Sequence, residues 1–303
     1  MRTHSARWPW LLLIPAASGL NPLLLLVTTT SALNLGALFR SAKPNHDEMR
    51  GLGSLTTKGV CAHRWATSHD DARAVLASVS SAFDDLKRHH HDALVPELAP
   101  PAAGTELRVP KGGFHCYAAG TTRAMRWLYA ADHETLDLFR PLAAKFLPAM
   151  EASVYSGGWE PADGPSVQLS AASFISIVGA HAGITDDIAR WHEDWGPCSD
   201  HEAFSVLLPL RDTARAPDAY KLEYKTWDAL ADTKVYDYAL GDAIVVDGRA
   251  PHRTAPFSAQ TLAKCDGERV LVCLNYASTA PAARPAQVQV MESQTPHFYE
   301  LPA

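Results

Sequence analysis

Ala72, Val75, Leu76, Val79, Phe83 and Leu86 recur at spacings of three and four, which predicts an amphipathic helix with one apolar face. Ser68-His69-Asp70-Asp71 ahead of it offers a hydroxyl N-cap with a carboxylate three residues on. Lys87 and Arg88 fall where cations suit the negative end of the helix dipole. A second helical pattern runs through Phe139, Leu142, Ala143, Phe146, Leu147, Met150 and Val154, with Pro141 in its first turn, where a missing N–H costs least. From about Ser166 the texture changes. Residues 167–180, 203–210, 220–227, 234–238, 243–247 and 270–276 are short runs rich in Val, Ile, Leu, Phe and Tyr, bounded by Gly, Pro, Asp and Ser, as strands are. No long helical pattern separates these runs, so an antiparallel sandwich or barrel is expected rather than alternating βαβ units. The organisation read from the chain is a helical part over 60–155 and a barrel core over about 166–292. Both belong to one domain, 46–303, without internal repeat or linker.

Residues 1–45 read differently. No charged residue occurs between Arg7 and Arg40, and the apolar runs 11–14 and 23–27 are interrupted by Pro15 and Pro22. A basic start, an apolar middle and the small residues Thr30-Ser31-Ala32 predict an N-terminal address: a secretory signal, an organelle transit peptide or a membrane anchor. The expected location is therefore the secretory pathway, an endomembrane or an organelle, with membrane association through this segment.

The formal charge of -6 is a sum over two unlike parts. Arg2, Arg7, Arg40 and Lys43 are the only charged residues of 1–46, which leaves 27 - 4 = 23 basic against 33 acidic residues from Asp47 onward, or -10. That acidity excludes an extended basic nucleic-acid surface. With 47% hydrophobic and 20% charged residues, the chain is neither a disordered tract, a collagen nor a coiled coil. Five cysteines, odd in number and widely spaced, do not make a disulfide framework, although one or two bridges stay open.

The chemistry is a question of histidines and carboxylates, because the nucleophile-elbow, phosphate-loop, dinucleotide and zinc-helix signatures are all missing. His-x-Asp occurs three times, at His69–Asp71, His90–Asp92 and His192–Asp194. The first two sit at the ends of the predicted helix, and the His89-His90-His91 run reads as its solvated end. Only Trp191-His192-Glu193-Asp194-Trp195 lies among the strands. In an extended segment His192 and Asp194 point the same way and can face one ion. His252 supplies a third ligand. It follows the Gly241-Asp242 turn, the apolar run 243–246 and the loop Gly248-Arg249-Ala250-Pro251. Two imidazoles and one carboxylate on one face of an ion suit ferrous iron and leave positions open. Arg269 opens the next apolar run and could clamp a carboxylate through paired hydrogen bonds, with Lys264 as the alternative cation. Arg253, Trp191 and Trp195 read as rim and packing residues.

In this order (His192-x-Asp194, Gly241-Asp242 before a strand, His252, Arg269 opening the last strand) the chain resembles the iron(II)- and 2-oxoglutarate-dependent dioxygenases. Its Trp-His-Glu-Asp-Trp-Gly run at 191–196 is similar to that of the phytanoyl-CoA dioxygenase branch. The resemblance spans roughly 167–278 and implies a mainly β fold with flanking helices (α+β), a double-stranded β-helix or jelly-roll barrel. It implies Fe(II) held by His192, Asp194 and His252, with 2-oxoglutarate and O2 as cosubstrates and the far carboxylate of 2-oxoglutarate on Arg269. The reaction implied is hydroxylation of a small molecule or lipid, and retention of Asp194 favours hydroxylation over halogenation. Three alternatives stand beside it: a peptidyl hydroxylase of the same superfamily, a zinc enzyme using His192, Cys198 and His201, and a jelly-roll binding module without catalysis.

Overall fold

Residues 52–89, 112–118, 125–161, 164–178, 184–185 and 189–294 are described by a computed structural model. The chain divides into Met1–Ser41 and Ala42–Ala303. Residues 1–45, where an N-terminal address is expected, and the His90, His91 and Asp92 positions lie outside the described residues, among which no helix is long and apolar enough to cross a membrane.

The strands are β1 (Val60–Arg64), β2 (Phe114–Ala118), β3 (Met125–Ala130), β4 (Val167–Val178), β5 (Ala203–Pro209), β6 (Lys221–Thr226), β7 (Ala229–Asp237), β8 (Asp242–Asp247), β9 (His252–Thr254) and β10 (Glu268–Ser278). The helices are α1 (Leu52–Lys58), α2 (His69–His89), α3 (His133–Asp137), α4 (Arg140–Ala143), α5 (Leu147–Ser156), α6 (Ala259–Ala263) and α7 (Arg284–Gln294). A seven-stranded sheet runs in the order β1-β8-β5-β10-β4-β3-β2 and a three-stranded sheet in the order β7-β6-β9. Every pairing is antiparallel. A bridge between His192 and His252 continues the small sheet beyond β9. The two sheets enclose one core, in which Leu222 of β6 joins Ile177, Ile244 and Leu271 of the large sheet. This is the jelly-roll, double-stranded β-helix architecture.

Alternation along β10 decides what each face does. Val270, Val272, Leu274 and Tyr276 point to the helix side, where they share a core with Leu76, Val79 and Phe83 of α2 and Met150 and Val154 of α5. Phe83 and Phe174 meet edge to face at 4.9 Å. The intervening residues Arg269, Leu271, Cys273 and Asn275 therefore point into the barrel. Because both faces of the sheet are covered, its central strands read as continuous apolar runs. Each large side chain so buried contributes about 1.5–3 kcal/mol.

The α2 cap forms as its sequence predicts: the Asp71 N–H donates to Ser68 Oγ at 3.1 Å, and Asp71 Oδ2 accepts from the Thr67 N–H. Elsewhere the structure corrects the expected organisation. The pattern from Phe139 to Val154 is two helices, because Pro148 cannot continue a helix through its missing N–H and instead opens α5, as Pro141 opens α4. The segment 60–155 is not wholly helical, since it supplies β1, β2 and β3 to the large sheet. The barrel ends at Ser278, and 284–294 is helix α7. All five cysteines are free thiols, so no bridge forms.

Candidate functional site

His192 and His252 are brought together by backbone pairing. The His192 N–H donates to the His252 carbonyl at 3.1 Å and the His252 N–H returns to the His192 carbonyl at 3.0 Å, which sets the ring centroids 4.5 Å apart. Beyond this single bridge the chain turns. Asp194 opens the turn rather than continuing a strand, and still delivers its carboxylate between the rings: Oδ1 is 3.4 Å from His192 Nε2 and Oδ2 is 3.5 Å from His252 Nε2. The donor atoms of the three side chains lie within 4.8 Å of one another, and they form the only such cluster among the described residues.

Protonation suits metal binding. His192 Nδ1 faces the Arg190 carbonyl at 2.9 Å and His252 Nδ1 faces the Ala250 carbonyl at 3.0 Å. A carbonyl only accepts, so each Nδ1 carries a proton and Nε2 is the atom that can present a lone pair to an ion. Burial pushes the Asp194 carboxyl up, but the charge of His252 and the hydrogen bonds from His192 and Ser205 outweigh it and hold the group well below the usual carboxylate range. Burial pulls the His252 imidazole down, against the attraction of Asp194. For the half-exposed His192 the balance is reversed: burial lowers it, yet the hydrogen bond and charge of Asp194 raise it on net. Two imidazoles and a carboxylate facing one point are a donor set that suits a ferrous ion and leaves positions open.

The cluster stands in a cleft of about 580 Å³, counted out to its open mouth, walled by Met125, Trp127 and Tyr129 of β3, Ile175 of β4, Leu207 of β5 and Leu222 of β6. At one side lies Arg269. It is fully buried, and none of its three guanidinium nitrogens has a hydrogen-bond partner. The rings of Tyr220 at 5.7 Å and Tyr238 at 5.8 Å flank it, and burial pulls its pKa down. The Tyr238 hydroxyl is likewise unpartnered, and its ring lines the cleft. An unpaired buried cation is costly, and a carboxylate ligand would remove that cost.

Other expected residues are placed elsewhere. Lys264 is exposed at the C-terminal cap of α6, whereas Arg269 is fully buried beside Tyr238, which lines the cleft. The zinc set does not assemble: Cys198 is buried with its thiol pushed up to about 12, first by burial and then by Glu202 and Asp247, and His201 Nδ1 is engaged by Ser153 Oγ at 2.8 Å. Arg253 pairs with Glu223 at 2.6 Å. Trp191 is covered by Lys225 and Arg253 at 5.0 and 5.1 Å, whereas Trp195 is buried against Ala203, Val290 and Met291 and also lines the cleft. Tyr238, Ser205 and Asn275 escaped sequence reading. One signal was available for Asn275, which sits two and six residues beyond Cys273 and Arg269 on the same strand face, a polar residue in an apolar run.

Asp247 ties the two ligand-bearing loops together. Its Oδ2 accepts the His201 N–H at 2.7 Å and its Oδ1 the Arg249 N–H at 3.2 Å, while the Trp195 N–H donates to the Gly248 carbonyl at 2.9 Å. Gly248 is required there, since a Cβ would stand 2.4 Å from that of Trp195. Burial, helped by Asp200, pushes the Asp247 carboxyl up to about 7 against its two backbone bonds. The folded state then holds a proton that the unfolded chain releases near 3.8. This group's contribution is full below about pH 4 and is lost as pH rises to about 7, by at most about 4 kcal/mol. Urea unfolding across that range is expected to show stability falling with pH in the parent and a flatter profile in Asp247→Asn.

Among solved structures the chain is similar to the non-heme alpha ketoglutarate dependent epimerase SnoN from nogalamycin biosynthesis, with a TM-score of 0.51 and 13% identity over 77% of this chain and 81% of that one. Looser likenesses are AviO1 from Streptomyces viridochromogenes Tue57 (TM-score 0.47, 16% identity, 80% of this chain and 98% of that one) and a Pseudomonas putida prolyl-4-hydroxylase (TM-score 0.44, 14% identity, 75% and 96%). No family model and no curated protein matches the chain. Fold and site together define a double-stranded β-helix that carries a His-x-Asp…His cluster in its cleft.

Proposed function

We propose that the protein is an iron(II)- and 2-oxoglutarate-dependent dioxygenase. The observation that carries this reading is the buried, unpartnered Arg269 on the same inner barrel face as the cleft of the His192–Asp194–His252 cluster. Tyr238 lies close enough to feel the charges of both Arg269 and Asp194. A zinc hydrolase or a silent barrel has no use for a stranded guanidinium, whereas a dicarboxylate cosubstrate needs both a metal and a distant cation. The fold shared with SnoN, named as alpha ketoglutarate dependent, supports the same reading.

His192 Nε2, Asp194 and His252 Nε2 would hold the iron, and Arg269 with the Tyr238 hydroxyl would bind the far carboxylate of 2-oxoglutarate. The metal and cosubstrate together supply oxidative decarboxylation and an oxidant for a substrate C–H bond. The chain's own part is geometric. Three ligands would leave coordination positions open, and the carbonyls of Arg190 and Ala250 hold each imidazole with Nε2 turned to the ion. Hydroxylation is the favoured outcome because Asp194 keeps its place among the ligands. The 191–196 run favours a small molecule or lipid over a peptide as substrate. The N-terminal segment 1–45 is proposed to direct the protein to the secretory pathway or an organelle.

An oxygen electrode tests the class. Oxygen uptake that requires both ferrous iron and 2-oxoglutarate is expected, with none when zinc replaces iron. Uptake that ignores 2-oxoglutarate, or none under any loading, counts against the reading.

A further inference from the structure

We propose that Ser205 and Asn275 are positioning residues that set the orientation of the Asp194 carboxylate, an inference that rests on the metal-site reading above. Ser205 on β5 and Asn275 on β10 are direct cross-strand partners on the barrel's inner face. Ser205 is fully buried. Asn275 Nδ2 donates to Ser205 Oγ at 3.0 Å, which leaves the hydroxyl's single proton for an acceptor, and the Asp194 carboxylate, which lines the same cleft as Asn275, takes it. In this orientation of the amide, Asn275 Oδ1 also accepts from the Cys273 thiol at 3.7 Å. Burial pushes the Cys273 thiol upward, so it stays a donor.

The result is one directed chain of donors: Cys273 S–H to Asn275 carbonyl, Asn275 N–H to Ser205 oxygen, Ser205 O–H to Asp194. It matters because the two carboxylate oxygens already face different histidines. A carboxylate free to turn about its last torsion can present one oxygen or both to an ion, and in doing so takes up a coordination position. The Ser205 proton fixes one choice. Partners of this kind are commonly worth about 10–100-fold in metal affinity.

The test uses Co(II) as a probe ion on the full chain, without cosubstrate or turnover. Its affinity is measured by titration calorimetry and its coordination by visible absorption, with thermal unfolding of each metal-free variant as the check on folding. Ser205→Ala is expected to bind Co(II) roughly tenfold more weakly or worse and to change the absorption spectrum, while Ser205→Thr, which keeps the hydroxyl, restores both. Asn275→Ala moves both readouts in the same direction by less. The double variant is no worse than Ser205→Ala, since Asn275 acts through the serine. Parent-like affinity and spectrum in Ser205→Ala, or additive losses in the double variant, overturn the relay while leaving the metal site standing. A parent that binds no Co(II) at all overturns the site reading and the relay with it.

Discussion

Asp194→Ala is expected to fold yet lose iron. The carboxylate is the anionic member of the cluster, held charged at neutral pH by both histidines and Ser205 against its own burial. Without it, the two imidazoles would face an ion with no anionic ligand beside them. Outer-shell partners alone cost about 10–100-fold in affinity, so loss of a ligand should exceed about 100-fold. Anaerobic equilibrium dialysis of ferrous iron checks this, with circular dichroism as evidence that the barrel persists. The methyl of alanine also leaves the Ser205 hydroxyl without its acceptor, so a modest loss of stability should accompany the loss of metal.

Arg269→Leu is expected to change stability and binding in opposite directions. The guanidinium is fully buried without a hydrogen-bond partner, and replacing such a buried charge by a packed apolar side chain is often stabilising by about 1–4 kcal/mol. The metal-free, cosubstrate-free variant should therefore melt several degrees above the parent. It should also lose 2-oxoglutarate binding by roughly 3 kcal/mol, more than about 100-fold, because a charge-paired carboxylate is left without its partner. Anaerobic melting curves show both effects together. In the parent, saturating 2-oxoglutarate with iron stabilises by about 2.7 kcal/mol at 100 times Kd, and in Arg269→Leu it stabilises hardly at all. Iron affinity stays unchanged, since Arg269 contacts none of the three ligands.

These residues differ in how far the chain alone disclosed them. Val167 to Val178 and the run after Glu268 read as strands because a sheet covered on both faces needs unbroken apolar runs. His192, Asp194 and His252 were legible through their spacing and the turn residues around them. The local structure differs, since Asp194 opens a turn, but two residues of extended chain were not needed to bring it beside His192. β1, β2 and β3 were not legible. Val60-Cys61-Ala62-His63-Arg64 is five residues at a sheet edge with an exposed half, and Met125-Arg126-Trp127-Leu128-Tyr129-Ala130 suits a helix as well as a strand. The Ser205–Asn275 pair was hidden for another reason. Its meaning lies in register across two strands 70 residues apart, which no local pattern encodes. Pro148 was legible in principle and decided the helix break once the backbone was laid down.

The assignment of His192, Asp194 and His252 as ligands of an iron that would serve 2-oxoglutarate turnover is a proposal. It is tested most directly by loading the protein anaerobically with ferrous iron and 2-oxoglutarate, admitting air and counting succinate per chain. The parent is expected to release succinate approaching one per chain, and His192→Ala, Asp194→Ala and His252→Ala none above the protein-free background. Succinate at the parent level from all three variants would contradict the assignment.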